Sequence, residues 1–118
     1  MFKAVKEQDE YKNTQTHYYL TKGDSCVITA TPFKNGSNIA GDVSKCTFKL
    51  GDSSYKLEKE IDMPKSTDGN SFVLTLDKAT SSTLTAGQYN YEIEYTMNDN
   101  ISVYTPHAWK FDIIKEIQ

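Results

Sequence analysis

Few residues of this chain have the type and spacing that metal binding or nucleophilic catalysis requires. The two histidines, His17 and His107, lie far apart, and neither has a second ligand type nearby. A zinc site needs several convergent ligands, so Cys26, Cys46 and a histidine would have to meet through the fold alone. A Cys–His nucleophile would also need an exposed, activated thiol. We therefore predict no catalytic residues, no metal and no cofactor, and expect that the chain is not an enzyme.

A pair of carboxylates offers a second kind of chemistry. Glu92 and Glu94 occupy alternate positions of one alternating segment, which places them side by side on the same face of a strand. Paired carboxylates can act as acid and base. No apolar neighbour is present to raise a pKa, so we expect a solvated face or ion pairs with Lys45 and Lys49 on a neighbouring strand.

Surface tyrosines are another means by which the chain could act. Tyr18 and Tyr19 are adjacent, so one of them must face away from the core, and Tyr55 and Tyr104 are further candidates for exposure. Exposed tyrosines are typical of faces that bind sugars or proteins. Partial burial of these rings under the N-terminal residues is the alternative.

Residues 1–17 are polar and aperiodic. Two interpretations remain open, a frayed terminus or an arm that becomes ordered against a neighbouring subunit. In the second case we expect partner contacts from Phe2, Val5 and Tyr11, together with Tyr18 and Tyr19.

The strongest structural signal is the alternation that follows Gly87. Tyr89, Tyr91, Ile93 and Tyr95 fall on one side, with polar residues between them. Successive side chains of a strand point to opposite faces, so this pattern predicts a half-buried β-strand with an aromatic inner row. We expect it to be the central strand of the fold.

Shorter alternating runs surround this strand. In the run from Ser44 to Leu50, we expect Lys45, Thr47 and Lys49 to face outward. The run from Tyr55 to Ile61 carries a lysine in its apolar row, as an edge strand would. Inner rows are predicted for three further strands: Cys26, Ile28 and Ala30; Cys46, Phe48 and Leu50; Trp109, Phe111 and Ile113.

Turn residues separate these runs. Asn35-Gly36 and Asn98-Asp99-Asn100 predict tight turns, and Asp77 predicts the N-cap of a single helical turn. The total of about seven or eight short strands, with turns roughly every ten residues, indicates an antiparallel sandwich or small barrel over residues 18–118.

Composition supports a β-sheet protein and excludes several partners. Eight tyrosines, five phenylalanines and one tryptophan suit a pleated, half-buried surface. The net charge of −3 is spread along the chain without a basic cluster, which argues against nucleic acid and against a membrane surface. A bridge between Cys26 and Cys46 is geometrically conceivable, but nothing signals an oxidising compartment, so we expect buried free thiols.

Three segments together resemble a known family. Leu20-Thr21-Lys22-Gly23-Asp24-Ser25 leads into an alternating strand, and Leu84-Thr-Ala-Gly87 is followed by Gln88-Tyr-Asn-Tyr-Glu-Ile93. A final strand contains Trp109-Lys-Phe-Asp-Ile113. This order resembles the small immunoglobulin-like modules of tailed bacteriophage virions, such as the amino-terminal domain of the baseplate upper protein family. The resemblance covers the range from Leu20 to Ile114 and implies an immunoglobulin-like β-sandwich without catalytic residues.

The resemblance also implies a role. We expect a non-enzymatic virion structural protein, a capsid auxiliary or decoration protein, a head-fibre protein or a tail or baseplate adaptor. Its partners would be capsid, portal or tail components, with a homo-oligomer also open, and it would be assembled in the host cytoplasm and reside in the virion. The alternative is a carbohydrate- or receptor-binding adhesion module that uses surface tyrosines.

Overall fold

The computed structural model describes residues 18–104 and 109–115. This part of the chain consists mainly of β-strands, ten in all, with one short α-helix and one 3₁₀ turn at Ala40–Asp42. It contains no helix long and apolar enough to cross a membrane. The elements are β1 (Tyr18–Thr21), β2 (Cys26–Ala30), β3 (Phe33–Lys34), β4 (Ser37–Asn38), β5 (Val43–Gly51), β6 (Leu57–Asp62), β7 (Phe72–Leu76), α1 (Lys78–Ser82), β8 (Gly87–Met97), β9 (Ser102–Tyr104) and β10 (Trp109–Ile114).

The larger of two facing layers is organised around β8. One edge of β8 pairs with β5, and its other edge pairs with β10 over its first half and with β9 over its second half. Beyond these neighbours, β6 pairs with β5, and β1 pairs with β10 in the parallel direction. Among the described residues, β1 and β6 are therefore the strands at the two ends of this sheet, while β9 pairs along one edge with β8.

The second layer is smaller. Strands β2 and β7 form an antiparallel pair, and β3 and β4 form a separate short hairpin. Side chains of β2 and β7 join those of the large sheet in one buried core, as the approach of Phe72 to Tyr95 shows, with ring centroids 6.3 Å apart. The chain is thus an immunoglobulin-like β-sandwich, and the predicted fold class is confirmed.

The tyrosine-rich segment is the interior strand that the sequence predicts. Tyr89, Tyr91, Ile93 and Tyr95 are all buried, with Tyr91 only 1% exposed. The Tyr91 ring stacks on Phe48 at a centroid distance of 5.6 Å and meets Phe111 edge-on at 6.1 Å. Three adjacent strands are therefore joined by one aromatic cluster, because these residues belong to β5, β8 and β10.

The predicted turns are also present. Asn35 and Gly36 both have left-handed backbone, with φ of 51° and 81°, between β3 and β4. This geometry matches the twist of the two strands that the turn joins. The Asp77 carboxylate accepts a hydrogen bond of 2.7 Å from the backbone N–H of Thr80, which makes it the N-cap of α1 as expected.

Two positions differ from the alternation that the sequence predicts, Thr47 of the outward row of β5 and Tyr55 of the apolar row assigned to β6. Thr47 is only 2% exposed. Its neighbours in register are Asp62 and Glu94, and each of these carboxylates pairs with a lysine, so ion pairs cover the threonine. Tyr55 does not belong to a strand row, because β6 begins only at Leu57 after a register shift opposite Leu50 and Gly51. The prediction that β6 is an edge strand is confirmed.

Truncation of the central aromatic tests this description of the core. Tyr91→Ala should lower the free energy of unfolding by about 3–5 kcal/mol, because it removes a fully buried ring between two others. Urea denaturation measures this change. The matched control is Gln88→Ala on the exposed face of the same strand, which should stay within about 0.5 kcal/mol of the parent. A loss below about 1 kcal/mol for Tyr91→Ala would contradict a packed interior at this position.

Candidate functional site

Within the described residues, the side chains that commonly bind metals do not come together at one site. Among residues 18–104 and 109–115, no group of three or more His, Cys, Asp or Glu side chains could hold a metal ion. His17 and His107 lie outside the described residues, as do Phe2, Val5 and Tyr11 of the predicted arm.

Both cysteines are free as expected, but the expected burial holds for Cys46 and not fully for Cys26, which is partly exposed. Cys46 is buried in β5, and its thiol lies 3.8 Å from the sulfur of Met63. Burial raises the pKa of the Cys46 thiol far above its ordinary value, and the nearby Asp62 adds to the effect. Burial also raises the pKa of Cys26, which is partly exposed. Because the thiolate is the reactive form, neither side chain is suited to nucleophilic chemistry.

Thiol labelling tests this assignment. At about pH 8, Cys46 in the folded protein should resist Ellman's reagent and Cys26 should react more slowly than a free thiol, because a raised pKa lowers the thiolate fraction. Both should react fully after unfolding. The Cys26→Ser and Cys46→Ser variants assign each rate to its residue, and rapid labelling of the Cys26→Ser protein would contradict the burial of Cys46.

The paired carboxylates lie on the outer face of the large sheet. The Lys49 ammonium is 3.3 Å from the Glu94 carboxylate, so the predicted ion pair across β5 and β8 is present. Lys45 instead approaches Asp62 of β6 at 3.6 Å. The expectation for Lys45 is wrong because β5 has neighbours on both edges, and the strand on its other side supplies the nearer carboxylate.

Two of the predicted surface tyrosines are exposed. Tyr19 in β1 is 64% exposed, so at least one member of the adjacent pair faces away from the core, as required. Tyr55 is 72% exposed. For Tyr18 and Tyr104 the structure describes the backbone, and their side chains lie outside the described part.

A cleft that the sequence does not reveal lies beside Tyr55. It encloses about 180 Å³ where β5 ends and the chain turns into β6. Its walls combine one exposed aromatic ring, one aliphatic side chain, an amide and both signs of charge. The lining residues are Lys49, Gly51, Tyr55, Leu57, Asn90, Tyr91 and Glu92. We call this feature the Tyr55 cleft.

A dense set of hydrogen bonds fixes the turn that carries Tyr55. The Asp52 carboxylate accepts from the backbone N–H groups of Ser54 and Lys56, at 2.8 and 3.0 Å. The backbone N–H of Asp52 donates to the carbonyl of Lys56, and that of Tyr55 donates to the carbonyl of Asp52. Asn90 of β8 donates through its amide to the same Asp52 carbonyl at 3.2 Å, which ties the turn to the central strand.

Tyr55 itself has a left-handed backbone with φ of 64°. This conformation suits glycine or asparagine and is strained for a bulky residue. The ring is exposed, so packing within the described fold does not explain a tyrosine here. The segment Gly51-Asp52-Ser53-Ser54 indicates a turn. The residue with left-handed backbone is the next one, and an aromatic side chain does not indicate that conformation, so the sequence alone does not identify it.

Substitution of Tyr55 tests whether its side chain contributes to the stability of the fold. Tyr55→Asn should be as stable as the parent, or up to about 1 kcal/mol more stable, because asparagine tolerates left-handed backbone. The free energy of unfolding in urea measures this. Tyr55→Phe keeps the strain and the ring and should match the parent. A destabilisation of Tyr55→Asn by more than about 1 kcal/mol would show that the ring contributes to packing.

Comparison with known proteins supports the class that the topology defines, a β-sandwich. Among solved structures, the chain is similar to CopC from Methylosinus trichosporium OB3b, with a TM-score of 0.53 and 14% sequence identity over 89% of each chain. At this identity the likeness shows the fold alone, because one sandwich fold hosts many functions. No protein-family model and no curated protein matches the sequence.

Proposed function

We propose that this chain is a non-enzymatic structural protein of a bacteriophage virion, one that docks on a larger symmetric assembly. The segments that resemble virion modules correspond to the turn from β1 to β2, the passage from α1 into β8, and strand β10. The sandwich fold is the one that the resemblance implies. The resemblance to virion modules itself rests on the sequence.

One observation on the surface carries the docking proposal. Four of the exposed large apolar side chains lie near the start of β8, three on the strands to either side of it and one in the turn before β6. They are Tyr19, Tyr55, Leu57 and Ile114. Aromatic and aliphatic groups presented at one end of a sheet suit contact with a protein neighbour, since aromatic anchors dominate many interfaces.

The outermost strands provide a second kind of contact. Strand β1 or β6 could accept an added strand from a partner, with backbone hydrogen bonds giving affinity and side chains giving specificity. Residues 1–17, with Phe2, Val5 and Tyr11, would serve as an arm that reaches a neighbouring subunit. Each contact can be weak, because many copies on a lattice gain from effective concentration.

In this proposal the partners are capsid, portal or tail components, or further copies of the chain. The protein would reside in the virion after assembly in the host cytoplasm. Its role would be that of a capsid auxiliary or decoration protein, a head-fibre protein or a tail or baseplate adaptor. Catalysis, nucleic-acid binding and membrane binding have no part in it.

Deletion of the arm tests the proposal. A variant lacking residues 1–17 should keep the circular dichroism and thermal transition of the parent but should be lost from purified particles, because the arm supplies the anchoring side chains. Immunoblots of particles from cells that express the variant measure incorporation. Ile101→Ser, which removes an exposed apolar residue beside the turn from β8 to β9, is the matched control and should incorporate normally.

Two results would count against the proposal in different ways. Normal incorporation of the truncated chain would remove the arm from the mechanism. Absence of the full-length protein from purified particles would overturn the virion role itself.

A carbohydrate- or receptor-binding adhesion module is the second candidate function. The observation that favours it is the exposure of Tyr19 and Tyr55, since exposed tyrosine rings can stack on the apolar face of a sugar. Tyr19 is in β1 and Tyr55 precedes β6, on opposite sides of β8 within the sheet, so the two tyrosines define two separate surface patches.

A further inference from the structure

The Tyr55 cleft has the features of a binding site for a small polar ligand. Five hydrogen bonds in and around one turn fix the backbone that carries the exposed ring, so the point from which the ring projects is set before any ligand arrives. Backbone strain maintained by surrounding structure, at a residue whose side chain packs little, is typical of functional positions. A tyrosine at this position is therefore better explained by contact with another molecule than by packing within the described fold.

The polar walls define the chemistry of the ligand. Asn90 and Glu92 project from alternate positions of β8, and Lys49 of β5 lies opposite Glu92 in register. The Asn90 amide uses one N–H on the Asp52 carbonyl, and it retains a second N–H and a carbonyl oxygen. The Lys49 ammonium is engaged by Glu94, so the amide of Asn90 and the carboxylate of Glu92 are the polar groups that can match the hydroxyl groups around a ring with an apolar face.

Strand pairing argues against a peptide in the same cleft. Strand β8 is paired with β5 on one edge and with β10 and β9 on the other, and β5 is paired with β8 and β6. The backbone groups of β5 and β8 at the cleft wall are therefore engaged, and strand addition beside the cleft is limited to the outer edge of β6, which begins at Leu57. A ligand that lies over β5 and β8 binds through side chains, and the volume of about 180 Å³ favours a small ligand.

We infer that the Tyr55 cleft binds a saccharide, with a pyranose ring stacked on Tyr55 and its hydroxyl groups bonded to Asn90 and Glu92. This inference goes beyond virion docking, since a docked module can carry a glycan site. It assigns the carbohydrate-binding candidate to Tyr55 rather than to Tyr18 and Tyr19.

The test is a titration of the full-length, ¹⁵N-labelled protein with a panel of methyl pyranosides, those of glucose, galactose, mannose and N-acetylglucosamine. At least one sugar should cause saturable shifts of the Gly51 and Asn90 amides, with a dissociation constant in the millimolar range that is usual for one small ring. Tyr55→Asn should abolish these shifts while the protein stays folded. Glu92→Gln should weaken binding up to roughly tenfold, as expected when a charge-assisted hydrogen bond becomes a neutral one.

Tyr19→Thr is the matched control, because it removes a similarly exposed tyrosine from another strand. It should leave the sugar-induced shifts unchanged. The inference is overturned if no sugar of the panel perturbs the cleft, if the shifts survive Tyr55→Asn, or if only Tyr19→Thr abolishes them. It is also overturned if the cleft amides respond to a purified virion protein and to none of the sugars, which would make the cleft a protein-docking face. Virion incorporation is a separate measurement, so the two proposals can fail independently.

Discussion

The contact on which the structure depends is the aromatic cluster of Phe48, Tyr91 and Phe111. Each ring comes from a different strand of the large sheet, and the centroids lie 5.6–6.2 Å apart. Such pairs add to the burial of apolar area because edge and face arrangements are favourable. All three rings are almost fully buried, so this cluster fixes how β5, β8 and β10 lie against one another. The positions of the outer-face residues on these strands follow from it, since each strand residue faces the side opposite to its neighbours.

The inner face of the large sheet is packed in the core, so its outer face is the one available for contact with other molecules. Its centre is covered by ion pairs, with Thr47 buried beneath them, and it presents charge rather than apolar surface. The Lys45–Asp62 pair is exposed and contributes little to stability, whereas the side chains of Lys49 and Glu94 are mostly buried. The exposed aromatic and aliphatic groups are instead found toward the start of β8. Contact with other molecules is therefore expected at that end rather than at the centre of the sheet.

Local signals predict this fold well because they depend on residues close in sequence. Alternation identified the buried row of β8, the Asn35-Gly36 pair identified a hairpin turn, and Asp77 identified a helix start. The partner of Lys45 was missed because strand order decides it, and strand order depends on the whole chain. The Tyr55 cleft was missed for a related reason. It exists only because a register shift at Leu50 and Gly51 precedes a turn that packs against Asn90, a residue distant in sequence.

The similarity to CopC helps to separate residues that determine the fold from residues that need another explanation. Two chains with 14% identity share this sandwich, so the features that determine the fold are alternation and turns, which many sequences satisfy. A residue that opposes local preference is more informative than one that obeys it. Tyr55 is such a residue, since its backbone conformation favours glycine or asparagine while its ring contributes little to the core. Gly36 and Gly69 also have positive φ, but glycine adopts this conformation readily, and these positions need no functional explanation. The strained tyrosine beside a polar cleft is therefore the position at which selection for binding, rather than for folding, best explains the residue.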